Sequence, residues 1–403
     1  MAAALEHIRV LDLSRVLAGP WAGQILADLG AEVIKVERPG CGDDTRGWGP
    51  PYLKQKDGTD SDTAAYYLAA NRGKKSIAID MAQPEGAALI KKLAMQADIV
   101  IENFKTGNLA KYGLDYESLS KDHPGLIYCS ITGFGQDGPL AHNAGYDFIV
   151  QGMAGLMSIT GTPESGPVKV GTAVADLTTG MYGVIGILAA LAHREQTGQG
   201  QHVDMALFDT QLSWLANQNL NYLVGGITPG RLGNAHPSIV PYQDFETKDG
   251  HLIIAVGNDR QFARFADLLG YPEWAEDPNF KTNAGRVRHR DLLIPLIAQL
   301  MKGRSTEEWR NALDTIRIPN GPINTIPQAF DEETAKARGM KVTMDHPVSG
   351  KVDLVANPIK LSRTPISYNQ APPGLGEQSD EILASIGLGV ADIAELRRKA
   401  VIG

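Results

Sequence analysis

Short β-branched runs alternate with helical patterns throughout the N-terminal third of this chain, and that alternation leaves few folds open. The run Ile8 to Leu13 is followed by a helical stretch opened by Pro20 and closed by Gly30, and then by Val33 to Val36. Further strand-like runs stand at Ser76 to Asp80, Ile99 to Glu102 and Leu126 to Ile131, with a helical pattern from Pro84 to Met95 between the first two. Strand, helix, strand in this rhythm implies a mostly parallel sheet with helices on both faces. The expected fold is α/β, a doubly wound, Rossmann-like large domain.

At 403 residues the chain exceeds the size at which one core stops growing, so two domains are expected. A helix from Asp176, a strand from Gln201 to Ala206 and a helix from Phe208 to Leu223 extend the first domain. The breaker-rich link Gly225-Gly226-Ile227-Thr228-Pro229-Gly230 then marks a boundary. The expected division is a large domain over 1–224, a smaller mixed α+β domain over 225–330 and a C-terminal segment, 331–403, that returns to the large domain. Within the small domain, two strands flank Lys248-Asp249-Gly250, with helices near 259–269, 287–302 and 305–315. Short strands from Met340 to Met344 and Lys351 to Val355 and a final helical segment close the chain.

Composition excludes several functions. The formal charge is −8, with an isoelectric point near 5.6, so there is no global basic field for nucleic acid or a membrane surface. Any phosphate-bearing ligand needs a local basic patch. Cys41 and Cys129 lie far apart without CxxC spacing, so neither a disulfide framework nor a zinc site is indicated. The first strand begins at Ile8, leaving no room for a signal peptide, and no apolar run approaches the ~20 residues of a membrane span. A soluble cytoplasmic protein is expected.

The turn after the first strand, where open α/β sheets bind ligands, reads Asp12-Leu13-Ser14-Arg15-Val16-Leu17-Ala18-Gly19-Pro20. Gly19 and Gly23 do not supply the GxGxxG spacing of a dinucleotide site, although Glu37 ends the second strand as a ribose-binding acid would. Arg38, Arg72, Lys74, Lys75, Lys105 and Lys111 lie at strand ends in the same half of the sheet, where they could gather phosphates; singly, each reads as a solvated charge. The nine histidines form no HxH or HExxH pattern, so no metal is expected. A hydrolase elbow, GxSxG, is absent too.

Asp176 is the most telling carboxylate. It follows the small apolar run Val170 to Ala175 and precedes glycines at 180, 183 and 186, the pattern of a buried, closely packed helix. An aspartate in a first helical turn is ordinarily a cap that satisfies a free backbone N–H.

Several segments, in order and at matching spacing, carry more than that. They are RVLAGP (15–20), EVIKVERPG (32–40), GDDTRGWGPP (42–51), NRGKKSIAID (71–80), IENF (101–104), SITGFGQDGP (130–139), AGYD (144–147) and AVADLTTGMYG (173–183). Together they resemble the class III (CaiB/BaiF) CoA-transferases, the family of formyl-CoA transferase and carnitine CoA-transferase. GDDTRGWGPP, CSITGFGQ and GNAHPSIVPYQ (233–243) look most like its succinyl-CoA:glutarate group, including relatives acting on other short dicarboxylates.

The resemblance implies that Asp176 is a covalent nucleophile, passing through an acyl-aspartyl anhydride and an aspartyl-CoA thioester. A carboxylate of ordinary pKa, about 3.9, is already ionised at neutral pH and needs no adjacent base. By position, Tyr146 and Asp147 match an active-site pair beside it, and Leu17, Ala18, Arg38, Ile79, Asn103, Phe104 and Lys111 match the family's CoA-contacting segments. CoA would be a substrate, with no tightly bound cofactor. Arg15 and Arg46 are candidates for the far carboxylate of a dicarboxylic acid such as glutarate, itaconate or malate, with a salt bridge the alternative for Arg46. Formyl-CoA transferase carries a glycine run in a mobile loop where this chain has Gly233-Asn234-Ala235-His236-Pro237-Ser238, a stiffer stretch in which His236 and Ser238 could donate to substrate. An interlocked homodimer is implied as well.

Two other readings stay open. An α-methylacyl-CoA racemase shares the fold but takes a histidine where this chain has Tyr146, and a phenol of pKa about 10 serves proton abstraction poorly. A non-catalytic acyl-CoA-binding protein could have kept the fold and lost the chemistry.

Overall fold

A computed structural model describes residues 3–403, which divide into two compact units. The first takes the chain up to Leu156, then Val170–Asn219 and Glu333–Gly403; the second takes Met157–Lys169 and Leu220–Glu332.

The first unit is built on a six-stranded sheet. Its strands are β1 (Arg9–Asp12), β2 (Glu32–Glu37), β3 (Lys74–Ala78), β4 (Ile99–Glu102), β5 (Ile127–Thr132) and β6 (His202–Ala206). The spatial order is β3-β2-β1-β4-β5-β6 and every pairing is parallel. This is the doubly wound order, and its direction of winding reverses between β1 and β4, where the turns that follow two neighbouring strands diverge and leave a crevice. The central strands are buried on both faces, which is why they read as continuous apolar runs instead of alternating ones.

Five helices bear on the argument: α1 (Ala18–Asp28), α2 (Pro84–Ala94), α3 (Asp147–Met153), α4 (Val174–Thr197) and α5 (Leu207–Trp214). One face of the sheet packs against α2 and the C-terminal helices, with Leu89, Ile90, Leu93, Ile382 and Ile393 meeting Leu11, Ile34, Ile77 and Val100. On the other face Ala22 and Leu26 of α1 and Val184, Ile187 and Leu191 of α4 meet Val10, Val33, Ile99, Ile127 and Ile131. A helix predicted over 208–223 is broken into two, Leu207–Trp214 and Asn217–Leu223, because Ala216 takes φ 47°, which an α-helix cannot accommodate.

The glycines of α4 permit close approach. A Cβ at Gly180 would lie 2.5 Å from the Ala18 carbonyl oxygen, so α1 and α4 cross backbone to backbone at that point. Contrary to the expectation of no membrane-length run, α4 has 24 residues and a mean hydropathy of 1.6 over its most apolar window, long and apolar enough to cross a membrane. Small residues hid this in the sequence. Here only part of that apolarity goes into the core, with Val184, Ile187 and Leu191 against α1 and the sheet.

The C-terminal stretch of this unit docks beside β3: Ile402 bridges Ile79, and the Asp80 N–H donates to the Val401 carbonyl at 2.8 Å. The hairpin Lys341–His346 with Gly350–Val355 packs Met344 and Val352 against Leu53, Tyr67 and Leu68.

The second unit has a three-stranded antiparallel sheet, Asn320–Pro322, His251–Ala255 and Tyr242–Glu246, around a core of Phe245, Leu252, Ile254, Phe262, Phe265 and Trp309. Its helix Thr306–Thr315 opens on a capping box of Ser305 and Glu308.

Candidate active site

Asp176 is the third residue of α4, whose N-cap, Ala173, has no side chain to offer the free N–H groups of the first turn. The cap comes from elsewhere. Asp147, first residue of α3, accepts the Ala175 N–H on Oδ1 at 2.8 Å and a Gln151 Nε2 hydrogen on Oδ2 at 2.7 Å. Gln151, fully buried one turn along α3, in turn accepts the Val170 N–H at 2.9 Å. The segment before Asp176 is thus held at both ends by side chains of α3. Asp176 is released from capping, and among the described residues no hydrogen bond or ion pair engages its carboxylate.

A free carboxylate among protein atoms is costly to ionise. Burial first, then the neighbouring charge of Asp147, push the Asp176 pKa up to about 7. The expectation of a carboxylate ionised without help at an ordinary pKa is therefore corrected, because partial burial and the Asp147 charge both penalise the ionised form.

Tyr146 precedes Asp147 as the N-cap residue of α3 and is 61% exposed. The segment is brought to the sheet through a glycine pair: a Cβ on Gly145 would lie 2.3 Å from the Gly133 Cα, so only paired glycines let the two loops touch there.

At the winding reversal a cavity of about 430 Å³ opens, lined among others by Arg15, Arg38, Ile79, Phe104 and Lys111. Four residues assigned by resemblance to CoA contact, Arg38, Ile79, Phe104 and Lys111, thus meet in one place. The Arg38 guanidinium makes no hydrogen bond or ion pair among the described residues, while Lys111 lies over the Tyr112 ring at 4.7 Å, which leaves both charges available to an anion. Asn103 acts behind the cavity, accepting the Arg15 N–H at 2.9 Å and donating to the Arg15 carbonyl at 2.7 Å, so the turns after β1 and β4 are stapled together. Leu17 and Ala18 are buried at the start of α1.

Other candidates are committed elsewhere. Arg46 is buried, forks onto Glu37 at 2.8 and 2.7 Å, and lies over the Tyr67 ring at 3.7 Å. That geometry removes it as a grip for a substrate carboxylate, and equally removes Glu37 as a ribose acceptor. Lys74 is buried against Asp12 at 2.9 Å, Arg72 forks onto Asp28, and Lys75 bridges Glu32 and Glu381. These three are corrected from phosphate candidates to ion pairs of the fold, since cations beneath a sheet edge must be paired. Arg15 keeps one foot in the cavity and pairs with Asp44 at 2.9 Å on the surface.

His236 and Ser238 belong to the second unit. The His236 Nδ1 accepts the Ser238 backbone N–H at 3.0 Å, and its ring lies 5.2 Å from that of Tyr242. Burial first, then the Arg290 charge, hold its pKa below the usual histidine value, so the ring is neutral and its Nε2 hydrogen remains a donor.

Tyr66 was not picked out from the sequence. Its pKa is raised by burial and then by the charges of Asp176 and Asp147, which places the phenol in the field of both carboxylates. Its ring meets Trp48 edge-on at 5.2 Å. Trp48 lies inside the GDDTRGWGPP segment, but no local signal marks Tyr66, because its nearness to Asp176 is a product of the fold.

Residues 5–379 match the model of CoA-transferase family III. A succinate–glutarate CoA-transferase of Agrobacterium fabrum is 52% identical over 95% of both chains. The human succinyl-CoA:glutarate CoA-transferase is 42% identical over 95% of this chain and 86% of its own. A crystal structure of a CaiB/BaiF family protein from Brucella suis, 48% identical, superposes with a TM-score of 0.84 over 96% of this chain and all of the other.

Proposed function

Because the chain belongs to CoA-transferase family III, and is therefore a transferase, we propose that it moves CoA from succinyl-CoA to a short dicarboxylic acid with Asp176 as nucleophile. Glutarate is the acceptor of first choice, on the strength of the relatives; itaconate and malate are the next to test. The observation that carries the reading is the uncommitted, partly buried Asp176 carboxylate, freed from capping by Asp147.

In this reading an Asp176 oxygen attacks the thioester carbonyl carbon, the C–S bond breaks, and CoA leaves as thiolate. The thiolate attacks the aspartyl carbonyl and expels the donor's carboxylate, leaving an aspartyl-CoA thioester. The acceptor carboxylate attacks that thioester, a new mixed anhydride forms, and the thiolate attacks the acceptor's carbonyl, which restores the Asp176 carboxylate. Each step exchanges one acyl bond for another, so no oxidant, metal or external proton is consumed. The raised pKa makes the ionised Asp176 a better nucleophile, and the reaction requires water to be kept from the anhydride while substrate is bound. Arg38 and Lys111 supply positive charge for CoA phosphates, with Phe104 and Ile79 as apolar walls.

The test is formation of glutaryl-CoA from succinyl-CoA and glutarate by wild type and by Asp176→Ala. Loss of at least about a thousandfold, with CoA binding retained, supports the reading; transfer by the variant refutes it. A pKa near 7 would also suit a proton-transferring racemase. That alternative predicts α-proton exchange into deuterated water without acyl transfer.

We also place the protein in a homodimer. Met181, Tyr182, Ile185 and Leu188 stand 38–60% exposed along one stripe of α4, an apolar face that a second copy would cover.

A further inference from the structure

Val16 has φ 71°, in the left-handed region that a β-branched side chain adopts only under constraint. It stands in the turn that joins β1 to α1, and the surroundings over-determine that turn. The Ser14 N–H and hydroxyl donate to Asp12, the Ser14 carbonyl accepts from Lys35 Nζ at 2.9 Å, and Asn103 takes both backbone groups of Arg15. The Val16 N–H is shared between the two oxygens of Asp43, each at 3.3 Å.

Asp43 is itself fixed. It is buried, pairs with Lys35 at 2.9 Å and accepts the Thr45 N–H and hydroxyl at 3.0 and 2.8 Å. Burial would raise its pKa, but Lys35 and the hydrogen bonds outweigh that and hold it down at about 2, so it stays ionised. The same Lys35 ties Asp43 to Ser14, so one ion pair braces the turn from both sides.

The turn also has a place in the molecule. Leu13 and Arg15 line the cavity at the winding reversal, and Ala18 lies against Gly180, one helical turn beyond Asp176. The turn thus runs from the cavity lining to the start of α1, which crosses the helix that carries Asp176. We propose that Asp43 is a positioning residue, which holds Val16 in its left-handed conformation and so sets the path of the CoA thioester between the cavity and Asp176. The inference rests on the CoA-transferase reading.

Glycine adopts φ near +70° without cost, so the conformation can be restored without Asp43. Asp43→Asn keeps an oxygen for Thr45 but turns an amino group toward Lys35 and Val16. Four proteins are compared: wild type, Asp43→Asn, Val16→Gly and the double variant. CoA affinity is measured by calorimetry, kcat and KM with succinyl-CoA and glutarate, and Tm. The expected result is a loss of about tenfold or more in kcat/KM and a weaker CoA affinity for Asp43→Asn, with at least about threefold of each recovered on adding Val16→Gly. A merely structural role would lower Tm and leave Val16→Gly without effect in the Asp43→Asn background; that result overturns the proposal. Should Asp43→Asn fail to fold, Lys35→Met with Asp43→Asn removes both charges, and the same recovery by Val16→Gly is required. If wild type binds CoA but transfers none, the transferase reading fails, and calorimetry still decides whether Asp43 and Val16 are coupled.

Discussion

At the scale of single residues, the site is a division of labour between two aspartates. Asp147 takes the capping work that the sequence left open to Asp176, and in doing so sets its own negative charge beside the proposed nucleophile. The sign of the pH dependence follows. In the proposed mechanism Asp176 attacks only when ionised, and its pKa is raised to about 7, so kcat/KM should climb with pH through the neutral range and fall about tenfold for each pH unit on the acid side. Removing the Asp147 charge while keeping an acceptor for the Ala175 N–H, as in Asp147→Asn, should move that limb to lower pH; a pH-rate profile with an unmoved limb would contradict the assignment. The place of Asp176 in the first turn of a closely packed helix was legible from its motif. Its raised pKa and the Tyr66 ring were not, because both depend on neighbours that only the folded chain supplies.

Among the elements, α4 decides how closely the site can be assembled. Ala usually stabilises a helix interior by about 1 kcal/mol over Gly. At Gly180 the new methyl would meet the Ala18 carbonyl oxygen at 2.5 Å, so Gly180→Ala should destabilise by roughly 1–3 kcal/mol despite the better propensity. Gly183 is the control, since its methyl would find Cys129 and Ile131 at ordinary contact, 3.7 Å. Thermal or urea unfolding of Gly183→Ala should show stability kept or gained, and equal behaviour of the two variants would rule out the close crossing. The strands and most helices could be read from the period of the apolar residues, because their burial follows directly from the winding. What the period could not give was pairing among charges: Arg46, Arg72 and Lys74 look like ligand-binding cations in a linear sequence and prove to be bound inward by Glu37, Asp28 and Asp12.

On the scale of the whole molecule, the parallel order β3-β2-β1-β4-β5-β6 puts the cavity at the reversal of winding and brings α1, which starts beside it, across the helix that carries Asp176. The exposed stripe of α4 gives a further expectation. Sedimentation should report twice the chain mass of 43.3 kDa, and Ile185→Glu, which sets a charge in the middle of the stripe, should weaken the assembly. A wild-type monomer at micromolar concentration would contradict it.

The central claim is the covalent one, and intact-protein mass spectrometry tests it most directly. Wild type and Asp176→Ala are incubated with succinyl-CoA, quenched, and examined again after trapping with hydroxylamine or borohydride. The account predicts a CoA-sized or succinyl-sized adduct on wild type alone, with the trapped product mapping to Asp176. Contradiction would come from wild type that binds CoA yet carries no adduct, or from an adduct that persists in Asp176→Ala.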